Sequence, residues 1–205
     1  LATPALRDSI ARGIVFNILN DRGGGDISRV QLARVAWDTT LEGRTLADWA
    51  RRDGRDPTPE VGAELVIAAL GRGGASAIYH VLDEQDVERI MRHPQTMIAS
   101  DGRLVRPGDG HPHPRWYGTF PRVLAVYVRD RHVLTLEAAI HKMTGLPARR
   151  LGLADRGRVA GGCHADIVIF DADRVRDRAT FEDAHQYPDG IDYVVVNGAL
   201  VVRDG

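Results

Sequence analysis

Apolar and polar positions along this chain fall into blocks whose period changes from one block to the next. Residues 4–12 place their apolar side chains on one helical face and predict a short amphipathic helix. The run Ile14-Val15-Phe16-Asn17-Ile18-Leu19 reads instead as an apolar strand or the approach to a loop. Asn20 to Asp26, with consecutive glycines, is a turn, and Val30 to Ala36 alternates in part and predicts a strand. Thr45 caps a helix through Arg52 that Gly54 and Pro57 end. Val61, Leu65, Ile67, Ala68 and Leu70 recur at helical spacing, so a second helix runs from Pro59 until Gly71 stops it. Ala75 to Leu82 is an apolar strand. Asp83 then caps a helix over Glu84–Arg92, with Asp86 standing where a capping box needs its acid. Thr96 to Ser100 is a strand again. Strand, helix, helix, strand, helix and strand at this spacing predict a parallel α/β sheet or barrel.

Beyond a loop over 101–119, residues 120–130 and 135–144 predict helices, and Pro147 to Leu151 a short turn. The character then changes. Gly161-Gly162 lead a strand that runs to Asp171, and residues 193–202 read as two strands about Asn197-Gly198, a strong hairpin signal. The expected domains are therefore 1–155, α/β in character, and 156–205, antiparallel β. Three strands are too few to stand alone, so they are expected to complete a sheet supplied from elsewhere.

Composition narrows the function classes. The 205 residues carry 27 Lys and Arg against 28 Asp and Glu, a formal charge of −1, and no basic run marks a nucleic-acid arm. The glycines at 23–25 lack the GxxxxGK[ST] pattern of a phosphate cradle. A single cysteine, Cys163, excludes an intrachain disulfide framework and fits a reducing, cytoplasmic setting. No apolar run approaches the ~20 residues that cross a bilayer, so no membrane partner is expected. Leu1-Ala2-Thr3-Pro4 lacks an initiator Met and a signal-peptide core, and reads as the middle of a longer protein.

The candidate chemistry gathers around Met97-Ile98-Ala99-Ser100-Asp101-Gly102. An aspartate there serves as a helix cap or turn former, or as a carboxylate on the C-terminal rim of a strand, where barrel enzymes keep their chemistry. In the second role it can ligate a metal or take a proton from a metal-bound water. His111-Pro112-His113 has the spelling of a zinc HxH pair, but its prolines and the preceding glycines make it a loop rather than one face of a strand. Arg115 is either an ordinary surface arginine or a guanidinium poised to hold a substrate carboxylate. His80, at the end of its strand, is either structural or directed into the same mouth. His132, His141, His164 and His185 read as solvated or structural, Cys163 as a packed small hydrophobe, and Trp37, Trp49 and Trp116 as core or lip packing.

Taken in order, these motifs resemble one family. Thr96-Met97-Ile98-Ala99-Ser100-Asp101-Gly102 is followed by His113-Pro114-Arg115 and Tyr117-Gly118-Thr119-Phe120-Pro121-Arg122. Lys142-Met143-Thr144, Pro147-Ala148-Arg149, Asp155-Arg156-Gly157 and Ala165-Asp166-Ile167-Val168-Ile169-Phe170-Asp171 come next. Arg178-Ala179-Thr180-Phe181, His185-Gln186-Tyr187-Pro188 and Val196-Asn197-Gly198 complete the series. The chain resembles the amidohydrolase superfamily, and within it the N-acyl-D-amino-acid deacylases (D-aminoacylases), most closely from about residue 57 to 202.

The resemblance implies an α/β fold: the C-terminal part of a (β/α)8 barrel in 1–155, with strands of a small β-sandwich in 156–205. It implies zinc-dependent hydrolysis of the amide of a small-molecule N-acyl-D-amino acid. Asp101 matches the last-strand aspartate that activates the metal-bound water and passes its proton to the leaving amine, and it is also a candidate second-site metal ligand. Arg115 matches the arginine that holds the substrate α-carboxylate. His113 lies in the same substrate-binding motif without a specific role. The family's principal zinc ligands, an HxH pair, a cysteine and two further histidines, have no counterpart motifs here. One aspartate without that sphere cannot make a hydroxide near neutral pH, so these residues alone are expected to be inactive. The expected partner is then the remainder of the barrel or another chain. Two other readings stand beside this one: a dihydroorotase-like cyclic amide hydrolase, and a non-catalytic module whose barrel remnant packs on a partner.

Overall fold

The computed structural model describes residues 3–205, which form two compact units, one of residues up to 82 with 105–113 and one of 83–104 with 114–205. In the first unit, α1 (Pro4–Asn20) precedes β1 (Val30–Arg34), α2 (Leu46–Arg52), α3 (Pro59–Gly71) and β2 (Ser76–Tyr79). The helix expected over 4–12 and the strand expected at 14–19 are one continuous helix. Ile14 and Ile18, four residues apart, share a face that packs into the first core, and that burial overrides the β preference of the run. Gly62 of α3 makes the approach close. A side chain there would meet Ile27 Cγ2 at 2.8 Å and Ile18 Cδ1 at 3.2 Å.

β1 and β2 pair antiparallel, from Val30 opposite Tyr79 to Leu32 opposite Ala77, so the parallel order expected from the spacing is not what this pair adopts. Two helices lie between them rather than one, and an out-and-back helical excursion brings the chain into the second strand from its other end. Ile27, Val35, Leu41 and Trp49 are nearly inaccessible at the centre of this unit. Trp37 packs against Trp49 with the rings tilted at 50° and their centroids 5.4 Å apart, which places both tryptophans in packing roles.

The Thr45 cap forms a complete capping box. Its hydroxyl accepts the Asp48 N–H at 3.1 Å, and the Asp48 carboxylate accepts the Thr45 N–H at 2.9 Å. That backbone hydrogen bond, with the Thr45 hydroxyl and Arg51, holds the Asp48 carboxyl below the ordinary aspartate value against the opposing effect of burial. Thr45→Ala is expected to cost about 1 kcal/mol, read from the urea midpoint. A depressed carboxyl contributes stability that is complete above its unfolded value of about 3.9 and lost as the pH falls through the folded one. The stability gap between wild type and Asp48→Asn should therefore be open at neutral pH and close in acid. At the helix Glu84–Arg92 the capping box expected from Asp86 is absent. Asp83 caps the helix alone, accepting the Gln85 and Asp86 N–H groups, and Asp86 pairs with Arg89 instead.

The second unit contains α4 (Glu84–Arg92), α5 (Arg115–Arg122), α6 (Val123–Asp130, wound as a π-helix), α7 (Leu136–Met143) and α8 (Gly145–Arg150). The antiparallel sheet β3 (Ile167–Phe170), β4 (Ile191–Val196) and β5 (Ala199–Arg203) follows. Val123, Leu124, Tyr127, Val133, Ala139 and Val175 form its core. The Asn197-Gly198 hairpin is as expected: both residues take positive φ, 50° and 82°, and Val196 faces Ala199 across the turn. Arg156 ties this hairpin down through Asp166 and Asn197, whose N–H also reaches Asp166.

Residues 96–100, expected as a strand, form no regular element and have no ladder partners among the described residues. A strand is defined by its neighbour, and here the Ile98 N–H is donated to the Lys142 carbonyl of a helix. The helix expected from Phe120 begins at Arg115, so the expected loop over 101–119 ends at Pro114. Pro121 inside α5 removes a donor from the helical ladder, and the turns that follow widen into α6. No helix among the described residues is long and apolar enough to cross a membrane.

Candidate functional site

Three local devices bring Asp101 and Arg115 together. Ser100 Oγ accepts the Gly102 N–H at 3.1 Å, closing a tight turn about Asp101. Asp101 takes a left-handed conformation, φ 46°, which aspartate and asparagine tolerate better than other side-chain-bearing residues. Gly102 lets the backbone lie against the start of α5, where a side chain at 102 would sit 3.4 Å from Trp116 Cα. The Arg115 guanidinium then donates from Nη2 to Asp101 Oδ2 at 2.6 Å and from Nε to the Asp101 carbonyl at 3.3 Å. The Asp101 side chain is 86% exposed and that of Arg115 42%, so the pair faces open solvent.

α5 is held in place from below. Asp177 Cβ would lie 2.7 Å from a side chain at Gly118, and the Asp177 carboxylate accepts from Arg122 Nη1 at 3.1 Å. Tyr117 bonds through its hydroxyl to His185 Nδ1 at 2.9 Å and meets Tyr187 edge-on at 5.4 Å. Burial, with a contribution from Tyr187, pushes the Tyr117 phenol above its ordinary value. His185, expected to be solvated or structural, is thus a partner of the helix that carries Arg115.

The histidines of the candidate loop belong to the first unit. His111 packs on Gly43, approaches Gln31 Nε2 at 3.4 Å through its Nε2, and donates its backbone N–H to Ala33. Gln31 is itself 7% exposed and also bonds His80 Nε2 at 3.1 Å. His80 and His111 are therefore engaged in one polar chain about a buried glutamine. His113 closes the 105–113 segment and is half-buried. Among the described residues no group of three or more His, Cys, Asp or Glu is placed to hold a metal ion.

Lys142 escaped sequence reasoning. It is 4% exposed, and its Nζ donates to the carbonyls of His93 at 2.5 Å and Thr96 at 3.1 Å. Burial pushes its ammonium below the ordinary lysine value. The available signals were its place in the Lys142-Met143-Thr144 motif, to which no role was attached, and its closeness to the apolar positions Ala139, Ile140 and Met143 of the second core.

With this geometry in place, the amidohydrolase family profile matches residues 19–202. N-acyl-D-glutamate deacylase of Alcaligenes xylosoxydans xylosoxydans is 48% identical over 171 residues, covering 82% of this chain and 33% of the relative. D-aminoacylase of the same organism is 46% identical over 176 residues, covering 80% and 35%. Among solved structures, D-aminoacylase superposes with a TM-score of 0.75 at 43% identity, over 86% of this chain and 35% of its own. N-acyl-D-glutamate deacylase from Bordetella bronchiseptica, solved with zinc and a phosphonate mimic of the tetrahedral intermediate, gives 0.74 at 40% identity, over 92% and 36%.

The α/β fold is that of part of a D-aminoacylase-type hydrolase. The chain belongs to the amidohydrolase family. It spans about a third of the length of the curated relatives it matches.

Proposed function

We propose that this chain supplies the general base and the carboxylate-binding cation of a cytoplasmic, zinc-dependent enzyme that hydrolyses N-acyl-D-amino acids to a carboxylate and a D-amino acid. Residues 1–155 contribute to its barrel and 156–205 to its β-sandwich. The observation that carries the reading is the 2.6 Å contact between Asp101 and Arg115. In an N-acyl amino acid one carbon separates the leaving nitrogen from the α-carboxylate carbon, a distance of about 2.5 Å from standard bond lengths. A base that returns a proton to that nitrogen and a cation that grips that carboxylate must therefore be near neighbours. The zinc ligands of such an enzyme belong to the rest of the fold, with Asp101 as a candidate second-site ligand, because the described residues hold no ligand set of their own.

In this reading Asp101 Oδ accepts a proton from the water that attacks the amide carbonyl carbon. As the C–N bond breaks, the same proton passes to the departing nitrogen, which leaves as the free amine of the D-amino acid. Arg115 exchanges its bond to Asp101 for two hydrogen bonds to the substrate carboxylate, so substrate binding uncovers the base. His113 borders the same substrate-binding motif.

The test is turnover of N-acetyl-D-glutamate, N-acetyl-D-aspartate and neutral N-acetyl-D-amino acids by the full-length protein with its zinc content measured. Hydrolysis of D- but not L-enantiomers, with bound zinc, supports the reading. Turnover of a cyclic amide such as dihydroorotate in their place, or no turnover at all, overturns it.

A further inference from the structure

We infer that Lys142 is the positioning residue for Asp101, a statement that rests on the base assignment just proposed. The stretch from His93 to Asp101 lies between two helices and has no strand ladder among the described residues to fix it. The segment is exposed or half-buried, so its position depends on the few partners its backbone groups find within the unit. Lys142 supplies three of them from a single residue. Its ammonium donates to the His93 and Thr96 carbonyls, and its own carbonyl accepts the Ile98 N–H at 3.1 Å.

The anchors fall at the carbonyl of 93, the carbonyl of 96 and the N–H of 98, so the segment is held at three points by one residue. Three residues on, the Ser100–Gly102 turn aims the Asp101 carboxylate at Arg115.

A buried ammonium is costly, and Lys142 forms no ion pair among the described residues to offset that cost. An apolar residue would avoid the penalty but release the His93 and Thr96 carbonyls from the helix to solvent. The arrangement makes sense where the exact placement of the segment matters. Met91, Ile98 and Met143, which flank the segment and the lysine in sequence, pack partly buried against the second core. Arg115 is placed by a different set of contacts, through Gly118, Arg122 and Asp177. Loss of Lys142 should therefore displace the base while leaving the carboxylate-binding cation where it is.

The experiment compares Lys142→Met and Lys142→Arg with wild type in the full-length protein, with kcat and KM expressed per folded, zinc-loaded enzyme. Amide hydrogen exchange is followed over residues 93–101. Misplacement of a catalytic group by about 1 Å costs up to roughly 10²-fold, so kcat of Lys142→Met should fall about 10- to 100-fold. KM for the N-acyl-D-amino acid should hold, exchange at Ile98 should rise, and Lys142→Arg should recover much of kcat. Unchanged kcat per folded enzyme, unchanged exchange over 93–101, or kcat and KM altered in the same proportion would overturn the inference. If Lys142→Met does not fold, Lys142→Arg and Lys142→Gln carry the same comparison of kcat with KM. Asp101→Asn is the control. If it retains turnover, the base assignment itself fails; if it is inactive while Lys142→Met runs at full kcat, only the positioning role fails.

Discussion

Asp101→Asn in the full-length protein is expected to lower kcat toward N-acyl-D-amino acids by about 10²- to 10⁴-fold, the range a positioned general base contributes. Asparagine is the informative substitution because residue 101 has a φ of 46°. Asn tolerates the left-handed region well, whereas Ala adds about 1–2 kcal/mol of backbone strain that confounds the result. The amide keeps the shape and a hydrogen-bonding oxygen for Arg115, and removes the capacity to take a proton. The lost ion pair is largely exposed and so contributes little to stability, within about 1 kcal/mol. The melting temperature and zinc content should stay near wild type while turnover collapses. Full turnover in a folded, zinc-loaded Asp101→Asn protein would remove Asp101 from the chemistry.

Arg115→Ala should separate two roles of one guanidinium. Loss of charge-assisted bonds to the substrate carboxylate is worth about 1.5–3 kcal/mol, so kcat/KM for N-acyl-D-amino acids should drop roughly 10- to 150-fold, mostly through KM. An N-acyl alkylamine has no carboxylate to displace Arg115 from Asp101. On that substrate wild type should be slow because its base stays covered, and Arg115→Ala should match or exceed it. An equal loss on both substrates would show that Arg115 serves the reaction in some way other than by gripping the α-carboxylate. Comparing kcat/KM for the two substrates in the two proteins decides the matter.

Elements whose signals are local were legible in the sequence. Thr45 formed the expected cap, α3 followed its apolar period to Gly71, and Asn197-Gly198 made the hairpin. Elements that depend on a distant partner were not. Ile14 to Leu19 has strand-forming composition but lies in a helix, because Ile14 and Ile18 bury together in the first core. Thr96 to Ser100 has strand composition and remains unladdered, because its partner is the side chain and carbonyl of a lysine in α7. The parallel order expected for β1 and β2 failed because the two intervening helices reverse the chain's direction.

The site divides along the same line. Residue type and order left Asp101 a turn former or a rim carboxylate and Arg115 a surface arginine or a carboxylate-binding cation; the resemblance to the deacylases is what singled the two out. Sequence alone also read His111-Pro112-His113 as a loop rather than a zinc-binding pair on one face of a strand. Only the tertiary structure decided that the two side chains meet at 2.6 Å, that His80 and His111 are engaged about Gln31, and that Lys142 is buried under the segment leading to the base. The physical reason is range. Caps, turns and periodicity are set by neighbours a few residues away, whereas an ion pair 14 residues apart or a lysine reaching 46 residues back exists only once the intervening chain has packed.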